Sequence, residues 1–215
     1  YGITINLQTT GPAEESQTEA YVTAFEEAIA AAPDAIVTAT QVAEATVPKA
    51  QEAVEQGIIL NFVNCGLVQE DVTDNADCYN QFYYCSNASI GALAAEQMLN
   101  ILEEKGIEPQ GTVAMNYSVV NANGEQRMKG FSDYMAENAP DITCTETYFN
   151  NNDLEQAQSN VENQISTFGV ELIGIYGGNN ISGDGAVLAA QTAGITDKVA
   201  IVGVDSDATE IQALK

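Results

Sequence analysis

The chain has 215 residues, 45% of them hydrophobic, with 31 Asp and Glu against six Lys and Arg and no His. A net charge of −25 repels phosphate backbones and anionic lipid surfaces, so nucleic acid is excluded as a partner of this segment. The hydrophobic fraction and the even spread of charge exclude a disordered acidic tail, and the absence of His excludes a Ser-His-Asp triad and a His-ligated metal site.

Apolar runs and helical periodicities alternate along the chain. Ile3 to Leu7 reads as a strand broken by Gly11-Pro12, and Gln17 to Ala32 as a helix with Val22, Phe25 and Ile29 on one face, ended by Pro33-Asp34. Ala35 to Ala39 is the next strand, followed by a helix from Val47 to Glu55 closed by Gly57, and Ile58 to Val63 is a third strand. A polar stretch, Asn64 to Asn80, leads to a strand at Gln81–Cys85. Ser86-Asn87 then opens a long helix with Ile90, Leu93, Met98, Ile101 and Leu102 as its apolar stripe, ended by Lys105-Gly106. After the Gly/Pro stretch 106–111 the pattern restarts. Thr112 to Asn116 is a strand, Gly124 to Glu137 a helix carrying Met128, Phe131 and Met135, and Ile142 to Phe149 a strand. Asp153 caps a helix with Leu154, Ala157, Val161 and Ile165 on one face. A β-α-β unit closes the series, its strands ending at Gly178-Asn179-Asn180 and at Asp205. The class is α/β with parallel sheets in two lobes, divided into residues 1–108 and 109–215.

No apolar run reaches the ~18 residues of a membrane-spanning helix. The chain opens inside a strand pattern with neither an initiator Met nor a signal peptide, so a segment is expected upstream. Cys65, Cys78, Cys85 and Cys144 lack a Cys-x-x-Cys spacing, which argues against zinc and thioredoxin-like chemistry. The first three are compatible with one disulfide, as an extracytoplasmic setting permits, and equally with buried free thiols.

The strand ends finish in amides or small polar residues: Gln8-Thr9-Thr10, Thr40-Gln41, Asn64, Asn116-Tyr117-Ser118, Asn150-Asn151-Asn152-Asp153, Asn179-Asn180 and Asp205. Open parallel sheets hold their ligands just beyond the carboxyl ends of the strands. Amides and carboxylates there suit neutral polyhydroxylated ligands, because an amide both donates and accepts and a carboxylate accepts from vicinal hydroxyls. The other reading is that such residues cap helices and make turns. For Asp207, with Glu210 three residues on, the cap is preferred; for Asn179 and Asp205, ligand contact is preferred.

Five stretches carry a family resemblance. They are Ala35 to Ala39 with Val47 to Gly57, Asn123-Gly-Glu-Gln-Arg-Met-Lys-Gly-Phe131, Asn150 to Asp153, Gly178 to Asn180 with Gly183 to Ala186, and Ile201-Val-Gly-Val-Asp205. In order and spacing they resemble the type I periplasmic substrate-binding proteins of the ribose-binding and lactose-repressor-core superfamily, above all the sugar-transporter solute receptors that Gram-positive bacteria carry as surface lipoproteins. The resemblance implies a two-lobed periplasmic-binding-protein-like I fold with parallel sheets flanked by helices. It also implies a sugar or polyol ligand in the interlobe cleft, hinge closure on that ligand, and an ABC permease in the membrane as partner. No cofactor, metal or catalysis is implied.

Carried over by position, it implies ligand contacts at six residues. Asn64 lies where the family often presents an Asp-Arg pair, and Glu125 where ribose-type receptors place a clamping Arg. Asn152 or its neighbour Asn151 replaces a stacking aromatic, and Asn179 and Asp205 match polar contacts. Both clamping arginines are absent, with Arg127 read as pointing into helix packing, and the acidic pocket slightly favours a ligand with some positive charge. The first strand here resembles the family's second, so the first lobe is expected to lack its first strand and helix while the second is nearly complete. The location implied is extracellular and lipid-anchored, or periplasmic. The same core also serves as the effector-binding domain of lactose-repressor-type transcriptional regulators, which is the alternative function.

Overall fold

A computed structural model describes residues 2, 4–14, 17–40, 42–67 and 75–213. The chain divides into two compact units, Tyr1–Cys85 and Ser86–Lys215. The sequence reading set the boundary at 108/109, within the turn that follows the long helix. The structure differs because that helix is grouped with the second unit by its packing.

In the first unit, α1 (Thr18–Ala30), β1 (Ala35–Thr38), α2 (Ala43–Glu55), β2 (Ile59–Val63) and β3 (Gln81–Tyr83) build a parallel three-stranded sheet in the order β1-β2-β3. Phe25 and Ile29 of α1, Ala50 and Ala53 of α2, and Leu60 and Phe62 of β2 form its core, as the helical and alternating spacings require. α2 begins four residues earlier than the expected Val47. A local network fixes that start: Thr46 Oγ1 donates to the Val42 carbonyl at 2.8 Å and shares a 2.8 Å bond with Thr40 Oγ1, which accepts from Val42 N at 3.0 Å. The Thr40 hydroxyl at this strand end is thus committed to the helix start, while Gln41 lies outside the described residues.

The strand expected at Ile3–Leu7 does not form among the described residues of that stretch, and Ile3 itself lies outside them. Ile5 and Leu7 are exposed. A strand exists only through its ladder, and the described ladders of β1 run to β2.

The second unit runs α3 (Asn87–Lys105), β4 (Gly111–Tyr117), α4 (Ala122–Asn138), β5 (Ile142–Phe149), α5 (Leu154–Phe168), β6 (Leu172–Gly177), α6 (Asn180–Ala193), β7 (Ala200–Gly203) and α7 (Ala208–Ala213). Its sheet is parallel in the order β5-β4-β6-β7. Alternation along β4 sorts the core: Val113, Met115 and Tyr117 pack with α3 and α4, and Ala114 packs with α5 and α6. The helix after β4 therefore covers one face and the helix after β6 covers the other, so the order reverses between these neighbouring strands. That reversal is the switch point at which open α/β sheets leave a crevice beyond their carboxyl ends.

α3 and α4 approach backbone to backbone. A Cβ on Gly91 would run into the Arg127 carbonyl oxygen, and one on Gly130 into the Ala88 carbonyl oxygen. Lys105, in the last turn of α3, donates to the Thr196 and Val199 carbonyls at 2.7 and 2.8 Å and fixes the approach to β7. Among the described residues no helix is long and apolar enough to cross a membrane. Gly130→Ala is expected to lower stability by about 3 kcal/mol, since the added methyl meets rigid backbone; a urea titration showing a midpoint equal to the parent's would contradict this packing.

Candidate functional site

Four helices of the second unit start at or near the carboxyl ends of strands, and each first turn exposes N–H groups without intrahelical partners. A side-chain oxygen meets each start. Ser86 Oγ accepts from Ser89 N at 3.2 Å, Asn121 Oδ1 from Gly124 N at 2.7 Å, Asp153 Oδ1 from Gln156 N at 2.7 Å and Asn179 Oδ1 from Ser182 N at 3.3 Å. Asn179 therefore caps α6, the role set against ligand contact in the sequence reading. Asp207 Oδ1 accepts from Thr209 N at 2.7 Å at the start of α7, as expected of a cap; the side chain of Glu210 lies outside the described residues.

Beyond β5 and β6 the side chains close into a ring. Asn150 Nδ2 donates to Ser182 Oγ at 2.8 Å, Ser182 Oγ donates to Asn179 Oδ1 at 2.6 Å, and Asn179 Nδ2 donates to Asn152 Oδ1 at 3.3 Å. The Asn152 main-chain N–H returns to Asn150 Oδ1 at 3.0 Å. Asn150 and Ser182 are fully buried at the base, while Asn152 and Asn179 are half-buried above them. The sheet ladder continues past the strands into this region, with Asn151 N donating to the Ser118 carbonyl at 2.8 Å and Val204 N to the Gly177 carbonyl at 3.0 Å. These bonds set Asn151 beside the end of β4 and Asp205, the next residue after Val204, beside the end of β6.

The structure thus brings Asn151, Asn152, Asn179 and Asp205 to adjacent strand ends of one sheet. Four of the six site candidates, Asn64, Asn151, Asn152 and Asp205, have left-handed backbones with φ of 60°, 53°, 61° and 71°. Asn and Asp tolerate that region best, so residue type and turn geometry agree. Glu125 is exposed in the first turn of α4, where a carboxylate suits the helix dipole. Asn64 is exposed at the end of β2 in the first unit. Asn116, another polar strand end, turns away from the crevice: it is buried and donates to Gln164 Oε1 of α5 at 2.9 Å.

Arg127 points into the packing, as read from sequence, and does more there than fill space. It is 9% exposed, donates through Nη1 to the Gly178 carbonyl at 2.6 Å, and through Nε and Nη2 to Asn87 Oδ1 at 3.3 and 2.8 Å. Its guanidinium carbon lies 6.0 Å from the Tyr117 ring centroid. Gly178 is held where it is by need, because a Cβ there would run into Met128 Cε and the Tyr117 ring. Asn87 carried no sequence signal beyond opening a helix, and Asn150 and Ser182 carried none that set them apart from ordinary loop and helix-start residues. Among the described residues no group of three or more His, Cys, Asp or Glu is arranged to hold a metal ion.

The periplasmic binding protein domain matches the chain over residues 1–215. The chain belongs to this family. It is 28% identical to a xylitol-binding protein of Mycolicibacterium smegmatis over 183 residues, covering 85% of this chain and 48% of the relative. Two ABC transporter solute-binding proteins of Agrobacterium vitis superpose closely. One, bound with alpha-D-tagatopyranose, has a TM-score of 0.81, and the other, with D-fucose, 0.80; each is 25% identical. They cover 93% and 94% of this chain, and the chain spans 66% of each of them and about half of the xylitol-binding relative. The α/β fold with helix-flanked parallel sheets is that of the family.

A half-buried thiol and a buried phenol give the second unit an alkaline limit. Burial pushes the Cys144 thiol up to about 11, against a partly opposing hydrogen bond from Ser132. Burial also raises the Tyr176 phenol well above its ordinary range, with Arg127 partly opposing. Both raised groups favour the protonated folded state. For Cys144 that stability is complete below the unfolded thiol's 9.0 and is lost as pH climbs to about 11. The melting temperature is therefore expected to fall between pH 9 and 11 and Cys144→Ser to flatten that fall; a pH-independent melt through this window would contradict it. Arg127→Lys, which cannot bridge Asn87 and Gly178 as a planar fork does, is expected to cost about 2 kcal/mol, read from the urea midpoint.

Proposed function

We propose that this chain is part of an extracytoplasmic solute-binding protein of an ABC importer, and that it binds a neutral sugar or polyol at the carboxyl ends of the second unit's strands. The observation that carries the reading is the chemistry of those ends. Amides of Asn151, Asn152 and Asn179 stand with the carboxylate of Asp205 beside a topological switch point, and the nearest guanidinium, Arg127, is committed to Asn87 and the Gly178 carbonyl. Such a set offers N–H donors and a carboxylate acceptor for hydroxyls, with no exposed arginine fork for a carboxylate or phosphate. Relatives that bind xylitol, alpha-D-tagatopyranose and D-fucose support the same ligand class.

Glu125 joins the proposed contact set of the second unit, and Asn64 is a further proposed ligand contact, in the first unit. The partner is a membrane permease that takes up the released solute, and the proposed location is the outer face of the cytoplasmic membrane, by a lipid anchor or free in a periplasm. The effector-domain reading shares the core, but transporter receptors among the relatives favour the importer. No catalytic role is proposed, because the site groups are neutral amides and two exposed carboxylates, Asp205 and Glu125, without a nucleophile beside them.

A thermal melt with xylitol, D-arabinose, D-tagatose and D-fucose tests the reading. A ligand at a hundred times its Kd adds about 2.7 kcal/mol to the folded state, an easily read rise in Tm. Asp205→Asn, which keeps a residue suited to the left-handed backbone, is expected to weaken the shifting ligand about tenfold by removing an acceptor for two hydroxyls. No shift with any member of the panel would overturn the proposal.

A further inference from the structure

We propose that Arg127 is a positioning residue of the ligand site that ties the turn carrying Asn179 to the first turn of α3. A ligand held at the strand ends then also stiffens the helix start that follows the join between the two units. This deepens the sugar- and polyol-receptor reading and rests on it.

The chain leaves the first unit at Cys85 and enters the second at Ser86, and α3 begins at the next residue, Asn87. Asn87 is buried, and its Oδ1 accepts from Nε and Nη2 of Arg127 at 3.3 and 2.8 Å. From the same guanidinium, Nη1 donates to the Gly178 carbonyl at 2.6 Å, and Asn179 follows Gly178 in the chain. Two turns thus meet on one planar group whose donors keep fixed angles to one another. A displacement of the β6–α6 turn is therefore passed to Asn87 rather than absorbed.

The guanidinium has little room to yield. Its carbon lies 6.0 Å from the Tyr117 ring centroid. The Arg127 main chain is held as well, because its carbonyl oxygen stands against Gly91, where a Cβ has no space. Releasing either acceptor would leave a charged N–H unmet inside the protein, which makes the link stiff. The first turn of α3 reports on that link through two amides, Ser89 N on Ser86 Oγ at 3.2 Å and Ile90 N on the Ser86 carbonyl at 3.0 Å. Helix ends open locally, and a start tied to a held turn opens less often. α5 offers the comparison. It begins directly after Asn151, Asn152 and Asp153, so its first turn adjoins the site along the chain and does not depend on Arg127 to sense a ligand.

The test follows hydrogen exchange with and without saturating xylitol, D-arabinose, D-tagatose or D-fucose, in the parent, Asn87→Ala, Asn87→Asp and Arg127→Lys. In the parent, a panel member that raises Tm is expected to slow the Ser89 and Ile90 amides about fivefold, the scale of ordinary coupling between sites. Asn87→Ala removes the acceptor on α3 and leaves Arg127 on Gly178. The slowing at Ser89 and Ile90 is then expected to fall below about 1.5-fold, while the Gln156 and Ala157 amides of α5 are slowed as in the parent. Arg127→Lys, which cannot hold both acceptors, is expected to do the same and to weaken the ligand about fivefold. Asn87→Asp, which returns two acceptor oxygens to the guanidinium fork, is expected to keep the parent's slowing. A merely structural role for Arg127 would lower Tm in the variants and leave the ligand-dependent slowing at α3 unchanged. That result, or a parent whose Ser89 and Ile90 amides are indifferent to bound ligand, overturns this proposal while the receptor reading stands. A panel with no member that raises Tm overturns both.

Discussion

The constraint on which the second unit depends is the set of orphan N–H groups where helices start beside the carboxyl ends of parallel strands. Each start takes a side-chain oxygen, from Ser86, Asn121, Asp153 and Asn179, and each such cap stabilises its helix by about 1 kcal/mol. Strand-to-helix turns are also where an open α/β sheet meets its ligand. Structural and recognition demands therefore fall on the same residues. At Asn179 the amide oxygen serves the helix start and the amide nitrogen donates to Asn152 Oδ1.

Arg127 shows how the neighbouring turn is kept in place. A buried guanidinium costs several kcal/mol unless its donors are met, and here they are met by neutral oxygens, the Asn87 amide and the Gly178 carbonyl. The close approach of α3 and α4 at Gly91 and Gly130 brings Asn87 within reach. Any shift of the β6–α6 turn would strand that charge, so the position of Gly178, and with it the main chain leading into Asn179, is set from beneath. Tyr176, stacked on Phe131 at 4.2 Å between centroids, closes the core below.

Much of this was legible in the sequence. The strand at Ile142–Phe149 was read with its observed bounds, the Asp153 cap was read, and α3 ends at the expected Lys105-Gly106. Those features depend on local signals: period-two or helical spacing, a capping side chain, a glycine at φ 66°. The failures depend on partners distant in sequence. Residues 4–7 carry strand periodicity, but periodicity cannot supply a ladder. A start at Val47 is later than the Thr40–Thr46 network sets it, because that network depends on bonds made before the periodic run begins. The unit boundary was placed at a Gly/Pro turn, whereas the packing of α3 on α4 decides it. Local signals do not set Asn150 and Ser182 apart from their neighbours, because what joins them is one bond across 32 residues of chain.

Charge shows the same division between composition and contact. With 31 acidic residues against six basic ones, the chain as a whole attracts cations. That field is screened within about 8 Å at physiological ionic strength, so it acts on the approach of a solute and little on its final pose. Hydrogen bonds act at ~3 Å, and leaving one donor unmet at a half-buried site costs about 1–3 kcal/mol, comparable with anything the distant carboxylates return through water. The net charge therefore decides little about contacts made at hydrogen-bond distance.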